Sequence, residues 1–448
     1  MISSSVVGVL DLVTHRLQKG QRAGEIGTVV AVEGLSIALR GFYPKLRVGQ
    51  GVSIRSHNRT RIEAEVIRVV EDTAWVLPHG RSRGLSVGLE AESQEQRVLR
   101  VSDGWLGRVV DPFGNPLDAK GFLPRGTYAR PLQSIPLPPG LRQKLGAQVS
   151  LGVRVLDTFT TIREGQRLGL FAASGVGKST LLAMLARNRE FDVTVLGLVG
   201  ERGRELREFV EDDLGPTGMA RSVVVCATSD SPPLTRREAA YASFTIAEHF
   251  RDEGKRVLLL LDSVTRFALA CREIGLSTGE APTTRGFPPS VFGELPLLLE
   301  RAGPGLEGSG SITAVITVLV DGDNHDEPIS DAVRGILDGH VVLDRRLAER
   351  GQYPPVDVAR SLSRTVPGCL TSQQAYTVTR ARKLLALHAE VSDLILLGGY
   401  RKGSDAAIDE AVQLAPRINA CLQQSRTEMS SIDTAFRDLA SAIADAPQ

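Results

Sequence analysis

The sequence predicts an α/β core, a parallel sheet with helices on both faces, preceded by a small β-barrel and followed by a helical domain. Three observations carry this. A glycine-rich loop, Ala172 to Thr180, stands between the apolar run Leu168-Gly169-Leu170-Phe171 and the apolar, helix-forming run Leu181 to Ala186. From about 145 to 365 apolar β-runs alternate with helical patterns, the order that lays helices against a parallel sheet. Before this core, short β-rich runs are split by glycine and polar turns, and after it apolar residues recur at helical spacing.

Composition sets the frame. A chain of 448 residues is long for one core, so two to three domains are expected. Apolar residues at 42% and charged residues at 23% are those of a globular protein. With 53 basic and 52 acidic side chains the net charge is +1, which gives no bulk attraction to nucleic acid or anionic membrane. Cys226, Cys271, Cys369 and Cys421 are far apart and form no C-x-x-C, so they suggest neither a zinc site nor a disulfide framework, and a reducing cytoplasm fits. No apolar stretch approaches the roughly 18 residues of a membrane span, and the amino terminus lacks the pattern of a signal peptide.

The first element expected is a helix over 1–20, with Val6, Val9, Leu10, Val13 and Leu17 on one stripe. Such a stripe normally packs on its own domain, but a strand-rich region follows, so docking to a partner or a membrane surface is the other reading. Residues 21–95 form the barrel, with strands at Ile26–Val32, Leu35–Leu39, Val52–Ile54, Ile62–Val70 and Thr73–Leu77. Its aromatics, Phe42, Tyr43 and Trp75, are few for a nucleic-acid surface, so a structural or assembly role is expected. Leu106 to Asp118 reads as a strand, a tight turn and a connector leading to Pro131, Pro136, Pro138 and Pro139.

The core domain, 96–365, centres on the loop Ala172-Ala173-Ser174-Gly175-Val176-Gly177-Lys178-Ser179-Thr180. A glycine loop feeding a helix turns successive backbone N–H groups, and the positive end of the helix dipole, toward one point, which suits a phosphate chain. Lys178 would reach the β- and γ-phosphates and the Ser179 hydroxyl would coordinate magnesium. The pattern G-x-x-x-x-G-K-[ST] asks for glycine at 172, where this chain has alanine. An ordinary glycine turn before a buried helix would read similarly, but the flanking strand, the helix and the partner motifs favour the phosphate loop.

Later strands are expected at Val193–Val199, Ser222–Cys226, Val257–Leu261 and Ile312–Leu319. Ligands gather at the carboxyl ends of such strands, where Gly200-Glu201-Arg202 and Asp262-Ser263 lie. Asp262 can hold magnesium through its water shell, or simply cap the next helix. Glu201 can orient a water and take up its proton; taken singly, a glutamate ahead of Arg202 is more often a surface ion pair. Tyr353, in Gly351-Gln352-Tyr353-Pro354-Pro355, can stack on adenine or be a packed loop aromatic. Arg364 is by default a solvated charge, or a group that enters a neighbouring subunit's site during phosphoryl transfer. Residues 366–448 are helical, with Ile408, Ala411, Leu414, Ile418 and Leu422 on one stripe broken by a kink at Pro416. A second stripe, Ile432, Phe436, Leu439 and Ile443, follows a cap at Ser430.

Six blocks in order carry a resemblance: Ser174-Gly175-Val176-Gly177-Lys178-Ser179, Gly200-Glu201-Arg202-Gly203-Arg204-Glu205, Asp262-Ser263-Val264-Thr265-Arg266, Gly286-Phe287-Pro288-Pro289-Ser290-Val291-Phe292, Ile336-Leu337-Asp338-Gly339-His340 and Lys402-Gly403-Ser404-Asp405. Along nearly its whole length the chain resembles the flagellar protein-export ATPases, relatives of the rotary ATP synthase catalytic subunit. The resemblance implies a RecA-like P-loop NTPase core and magnesium-dependent ATP hydrolysis. Lys178, Glu201, Arg202 and Arg364 would be catalytic, residues 172–180 and Tyr353 would bind nucleotide, and Ser179 and Asp262 would hold Mg2+, the latter through water. It also implies self-association as a homohexamer and a stator-like regulator at the first helix. The export gate, chaperones and exported flagellar proteins would meet the last domain, at a cytoplasmic site peripheral to the inner-membrane export apparatus, with no nucleic acid. A virulence-type secretion ATPase shares the same blocks. A non-catalytic ring subunit is disfavoured by Glu201, and a ring helicase or RNA transcription terminator by the near-neutral charge and aromatic-poor barrel. The departures are Ala173, usually glycine, and Leu151, commonly threonine; two adjacent alanines could stiffen the loop.

Overall fold

The computed structural model describes residues 26–42, 45–58, 60–320 and 327–444. The expected first helix, with Val6, Val9, Leu10, Val13 and Leu17, and Tyr43 of the barrel lie outside the described residues.

Six strands, β1 Ile26–Glu33, β2 Ser36–Arg40, β3 Gly51–Arg55, β4 Arg61–Val70, β5 Thr73–Pro78 and β6 Glu90–Gln94, close a barrel in the order β1-β2-β5-β4-β3-β6. Its interior is filled by Val29, Ile37, Leu39, Val52, Ile54, Val66 and Val76. Five of the strands follow the apolar runs of the sequence. The sixth, Glu90-Ala91-Glu92-Ser93-Gln94, was not expected, because Ala91 alone in it is apolar and buried. It pairs with both β1 and β3, so its backbone closes the barrel and removes two free edges.

The core sheet is built from β7 Arg108–Val110, β8 Arg167–Ala172, β9 Val193–Glu201, β10 Ser222–Thr228, β11 Arg256–Asp262, β12 Ser311–Leu319, β13 Gly339–Leu343 and β14 Val356–Ser363. They lie in the order β14-β13-β8-β12-β11-β9-β10-β7, and a two-residue strand, Gly303–Pro304, pairs antiparallel with β12. Along each central strand successive side chains enter opposite cores. Leu196 and Leu198 of β9 join the cluster that includes Leu181, Leu182, Leu414 and Leu439, whereas Val195 and Val199 join Phe244, Phe250, Phe267 and Leu295. The first face is covered by α1 Lys178–Ala186 and later by the carboxyl-terminal helices, and the second by α2 Pro233–Asp252, α3 Val264–Ser277 and α4 Pro289–Leu299, with α5 Pro328–Ile336 beyond.

The main strands run parallel, as expected, except that β14 at the margin runs antiparallel to β13. The connection from Leu343 to Val356 carries only the five-residue helix Arg345–Glu349, too little to cross a sheet face and return parallel. β14 also alternates buried Val356, Val358, Ser361 and Ser363 with exposed Arg360 and Leu362, the pattern of an edge rather than the continuous apolar run of a central strand.

Arg301, at the end of α4, is 1% exposed and spends its donors inside the core. It gives two hydrogen bonds to the Glu248 carboxylate at 2.8 and 2.7 Å, one to the Leu132 carbonyl and one to Thr245 Oγ1. Arg301→Ala would strand Glu248 in that interior, and a buried pair broken on one side costs about 3–5 kcal/mol. A lowered urea midpoint with the slope unchanged is the expected result, and an unshifted midpoint would refute this account.

The carboxyl-terminal helices are α6 Ser372–Leu396, α7 Ala406–Leu422 and α8 Ile432–Ile443. α7 runs through Pro416 as one helix. The cap of α8 is Ser431, one residue after the expected Ser430; its hydroxyl accepts from the Thr434 N–H at 3.2 Å. Arg154 joins this domain to the core by donating to the Cys421 and Gln423 carbonyls and pairing with Glu428. No helix among the described residues is long and apolar enough to cross a membrane.

Candidate functional site

β8 ends at Ala172, whose carbonyl accepts from the Val320 N–H at 3.0 Å, and the chain then turns through the glycine loop into α1. The two turning points are Gly175 and Gly177, at φ 79° and 101°, a region that side chains resist. Ala172 and Ala173 are not among the residues at positive φ; both are buried, and Ala172 still pairs with Leu319 of β12. Alanine is therefore tolerated at 172 because that position is strand, and its methyl group enters the core instead of the loop.

No side chain caps the start of α1 at Gly177. Its first N–H groups are free for an anion, with the helix dipole behind them. Ser174, Gly175, Ser179 and Thr180 are exposed there, while the Lys178 side chain is 11% exposed and directed inward.

Two strand ends converge on that lysine. Lys178 Nζ pairs with Asp262 Oδ1, at the last residue of β11, and lies 3.6 Å from Glu201 Oε1, at the last residue of β9. Thr317, fully buried on β12, donates to the same Asp262 Oδ1 at 2.7 Å, so lysine and threonine hold one carboxylate oxygen together. Glu201 Oε1 is buried without a hydrogen-bond partner. Burial pushes the Glu201 carboxyl up to about 7; Lys178 opposes this, while Asp262 and Glu205 add to it. The carboxylates that hold Lys178 occupy the electrostatic position that phosphate oxygens would take.

The donor set for a hard divalent cation is present as oxygen only: the exposed Ser179 hydroxyl and the Asp262 carboxylate. These suit magnesium, which prefers few protein oxygens and retained waters.

Tyr353 sits over the loop. A Cβ placed on Gly177 would stand 3.8 Å from Tyr353 Cε1 and from Pro355 Cδ, and the tyrosine is 49% exposed, its ring open to a ligand. Its carbonyl accepts from the Gln424 N–H at 2.9 Å, tying the ring's loop to the carboxyl-terminal domain. Arg345 Nη2 donates to the Ser174 carbonyl at 3.0 Å and braces the glycine loop from the same side.

Two candidate arginines are not brought to this cluster. Arg202 precedes the short helix Gly203–Glu208 with its side chain 83% exposed, its nearest carboxylate being Glu205 at 3.9 Å. Arg364 follows β14; its N–H donates to the Asp338 carbonyl, and the Asp338 N–H donates to the Arg167 carbonyl. That places Arg364 at the amino end of β8, whereas the phosphate loop leaves its carboxyl end, about 17 Å away at 3.3 Å per residue.

Sequence reasoning missed Thr317, Arg345, Gln424 and the placement of Arg266. A Cβ on Gly200 would stand 3.2 Å from Arg266 Cβ, so this arginine lies along the chain leading to Glu201, and its Nε is buried without a partner. Thr317 left a signal, a hydroxyl inside an apolar buried strand that must find a partner. Gln424 left none, since its contact is made by a backbone N–H.

Residues 152–363 match the family described as "ATP synthase alpha/beta family, nucleotide-binding domain", and residues 370–441 match the "T3SS EscN ATPase C-terminal domain". The chain is 49% identical to the flagellum-specific ATP synthase of Caulobacter vibrioides, over 92% of this chain and 94% of that protein. It is 45% identical to the type 3 secretion system ATPase of Xanthomonas euvesicatoria over 96% of each. Among solved structures, the assembled ATPase EscN of the enteropathogenic E. coli type III secretion system superposes with a TM-score of 0.88 at 42% identity, covering 93% of this chain and 100% of that one. A second structure, EscN with its central stalk EscO, gives 0.85 at 41% identity, with coverage of 93% and 100%.

Proposed function

This chain belongs to the ATP synthase alpha/beta family, among its flagellum-specific and type III secretion ATPases, and we propose that it hydrolyses magnesium-ATP to drive export of flagellar proteins. The observation that carries the reading is Lys178 held between Glu201 and Asp262 at the carboxyl ends of two neighbouring strands, directly behind an uncapped helix start. The backbone of 172–180 cradles the phosphate chain, and Lys178 leaves its two carboxylates for the β- and γ-phosphates. Ser179 and, through water, Asp262 would hold the magnesium ion, which would supply charge neutralisation along the phosphates. Glu201, released from Lys178, orients the attacking water and accepts its proton, while Arg266, whose Nε is buried without a partner, packs against the preceding Gly200. Tyr353 stacks on the base.

Glu201→Gln keeps the shape and loses the base, so magnesium-ATP binding should persist while turnover falls by about 10²- to 10⁴-fold. Equilibrium nucleotide binding measured beside phosphate release separates the two; binding that falls in step with hydrolysis would make Glu201 a binding residue.

The raised carboxyl predicts two pH effects. In wild type, kcat/KM should climb as pH rises through about 7 and Glu201 ionises. A carboxyl raised above its ordinary value of 4.5 contributes stability that is complete below that value and lost through about pH 7. Glu201→Gln should therefore stabilise the ligand-free protein above pH 7, by up to about 3 kcal/mol, and leave it unchanged below pH 4. Identical denaturation midpoints for the two proteins at pH 8 would contradict this.

Self-association into a six-membered ring, supported by EscN solved as an assembled ATPase, and a regulator, supported by its complex with the central stalk EscO, complete the proposal, and we place that regulator at residues 1–20. The export gate, chaperones and cargo would meet the carboxyl-terminal domain, and the place of action is peripheral to the inner-membrane export apparatus. Restored motility in a strain lacking its flagellar export ATPase is the expected result; secretion restored only in an injectisome mutant would assign the virulence-type apparatus.

A further inference from the structure

Away from the phosphate site, three metal-ligating side chains meet. His249 and Glu253 stand four residues apart at the carboxyl end of α2 and so share a face. Asp103 opens the single turn Asp103–Trp105 that leads into β7. Their ligand atoms all lie within 4.8 Å of one another, with His249 Nε2 3.3 Å from Glu253 Oε1. Arg256, just beyond Glu253, begins β11 and Asp262 ends it, so about 20 Å of strand separates this cluster from the phosphate site.

The histidine argues that the cluster is built for a ligand. It is 5% exposed, and its Nε2 is buried with no hydrogen-bond partner, facing the carboxylates. The cations nearby are Arg130, Arg251 and Lys255, and the first two are already bonded to Asp252.

We propose that Asp103, His249 and Glu253 form a zinc-class divalent metal site, one imidazole nitrogen and two carboxylate oxygens with the fourth position left to water. Tetrahedral zinc with bonds of about 2.0–2.2 Å places its ligand atoms about 3.3–3.5 Å apart, the separation His249 and Glu253 already have. Asp103 is exposed and closes the third bond by a rotation of its side chain. An imidazole in the set selects zinc over the magnesium used at the phosphate loop. The ion clips the end of α2 to the segment entering the core sheet.

The test uses the full chain, stripped with chelator and titrated with Zn2+ by calorimetry, with Co2+ absorption as a geometric probe. His249→Ala, Glu253→Gln and Asp103→Asn are compared with wild type, so that binding by cysteines or the phosphate site cancels in the difference. One site should be lost or weakened in each variant by at least the about 10- to 100-fold that even a supporting residue contributes. Zinc should raise the melting temperature of wild type and not of the variants, while basal magnesium-ATPase activity is unchanged. Equal zinc stoichiometry and affinity in wild type and in any folded variant would overturn the site, as would a zinc-independent melting temperature in wild type.

Discussion

Lys178→Ala is expected to abolish ATP turnover while the protein stays folded. The lysine is the cation shared by Asp262 and Glu201, side chains 6% and 13% exposed, and it is the group that would meet the phosphates. Losing one preorganised donor to developing charge costs about 10²–10³ in rate, and this lysine also neutralises the bound substrate, so the loss should reach at least the upper figure. The fold should survive because Asp262 keeps its Thr317 hydrogen bond, and Glu201, with its pKa already raised, takes up a proton instead of remaining an unpaired charge. Phosphate release and circular dichroism measured together decide the matter. Substantial turnover by a folded variant would remove the phosphate-loop assignment.

Mixing two inactive variants is expected to restore activity. Arg364 lies at the amino end of β8 and cannot serve the site at the other end of its own sheet, about 17 Å distant. Its place in phosphoryl transfer is therefore on a neighbouring copy, and an arginine supplied in this way contributes about 10³–10⁵ in turnover. Glu201 and Arg364 stand on one chain, so identical copies can build every interface. Glu201→Gln protein keeps the arginine and Arg364→Ala protein keeps the base, so mixed assemblies contain interfaces where both are intact. Specific activity of wild type should also rise with protein concentration as copies associate. A mixture that stays inactive at assembling concentrations, with wild-type activity independent of dilution, would leave Arg364 without a role between subunits.

The cluster of Lys178, Glu201 and Asp262 behind the glycine loop was legible because each of its parts sits where a local rule puts it. Glycines at 175 and 177 are needed for positive φ, Asp262 and Glu201 end apolar runs, and Lys178 opens an apolar helix. The polar strand Glu90–Gln94 escaped because it holds the barrel through its backbone, which carries no side-chain signal. The edge strand β14 escaped because its exposed face breaks the apolar run by which the central strands were recognised, and its neighbour β13 was not expected either.

The sequence by itself determined that a phosphate loop follows one strand, that carboxylates end two others, and that a β-rich region precedes and a helical region follows this core. These are consequences of backbone geometry and side-chain period, which act over a few residues. Only the tertiary structure decided which of those ends meet. Strand order β8-β12-β11-β9 lets Lys178 reach both Glu201 and Asp262, sets Thr317 beside the aspartate and sends Arg364 to the opposite end of the sheet. The same packing brings Asp103 to His249 and Glu253. Such distances depend on how helices cover the two faces of the sheet, and burial then sets the charge state of Glu201, a property that no short stretch of the chain contains.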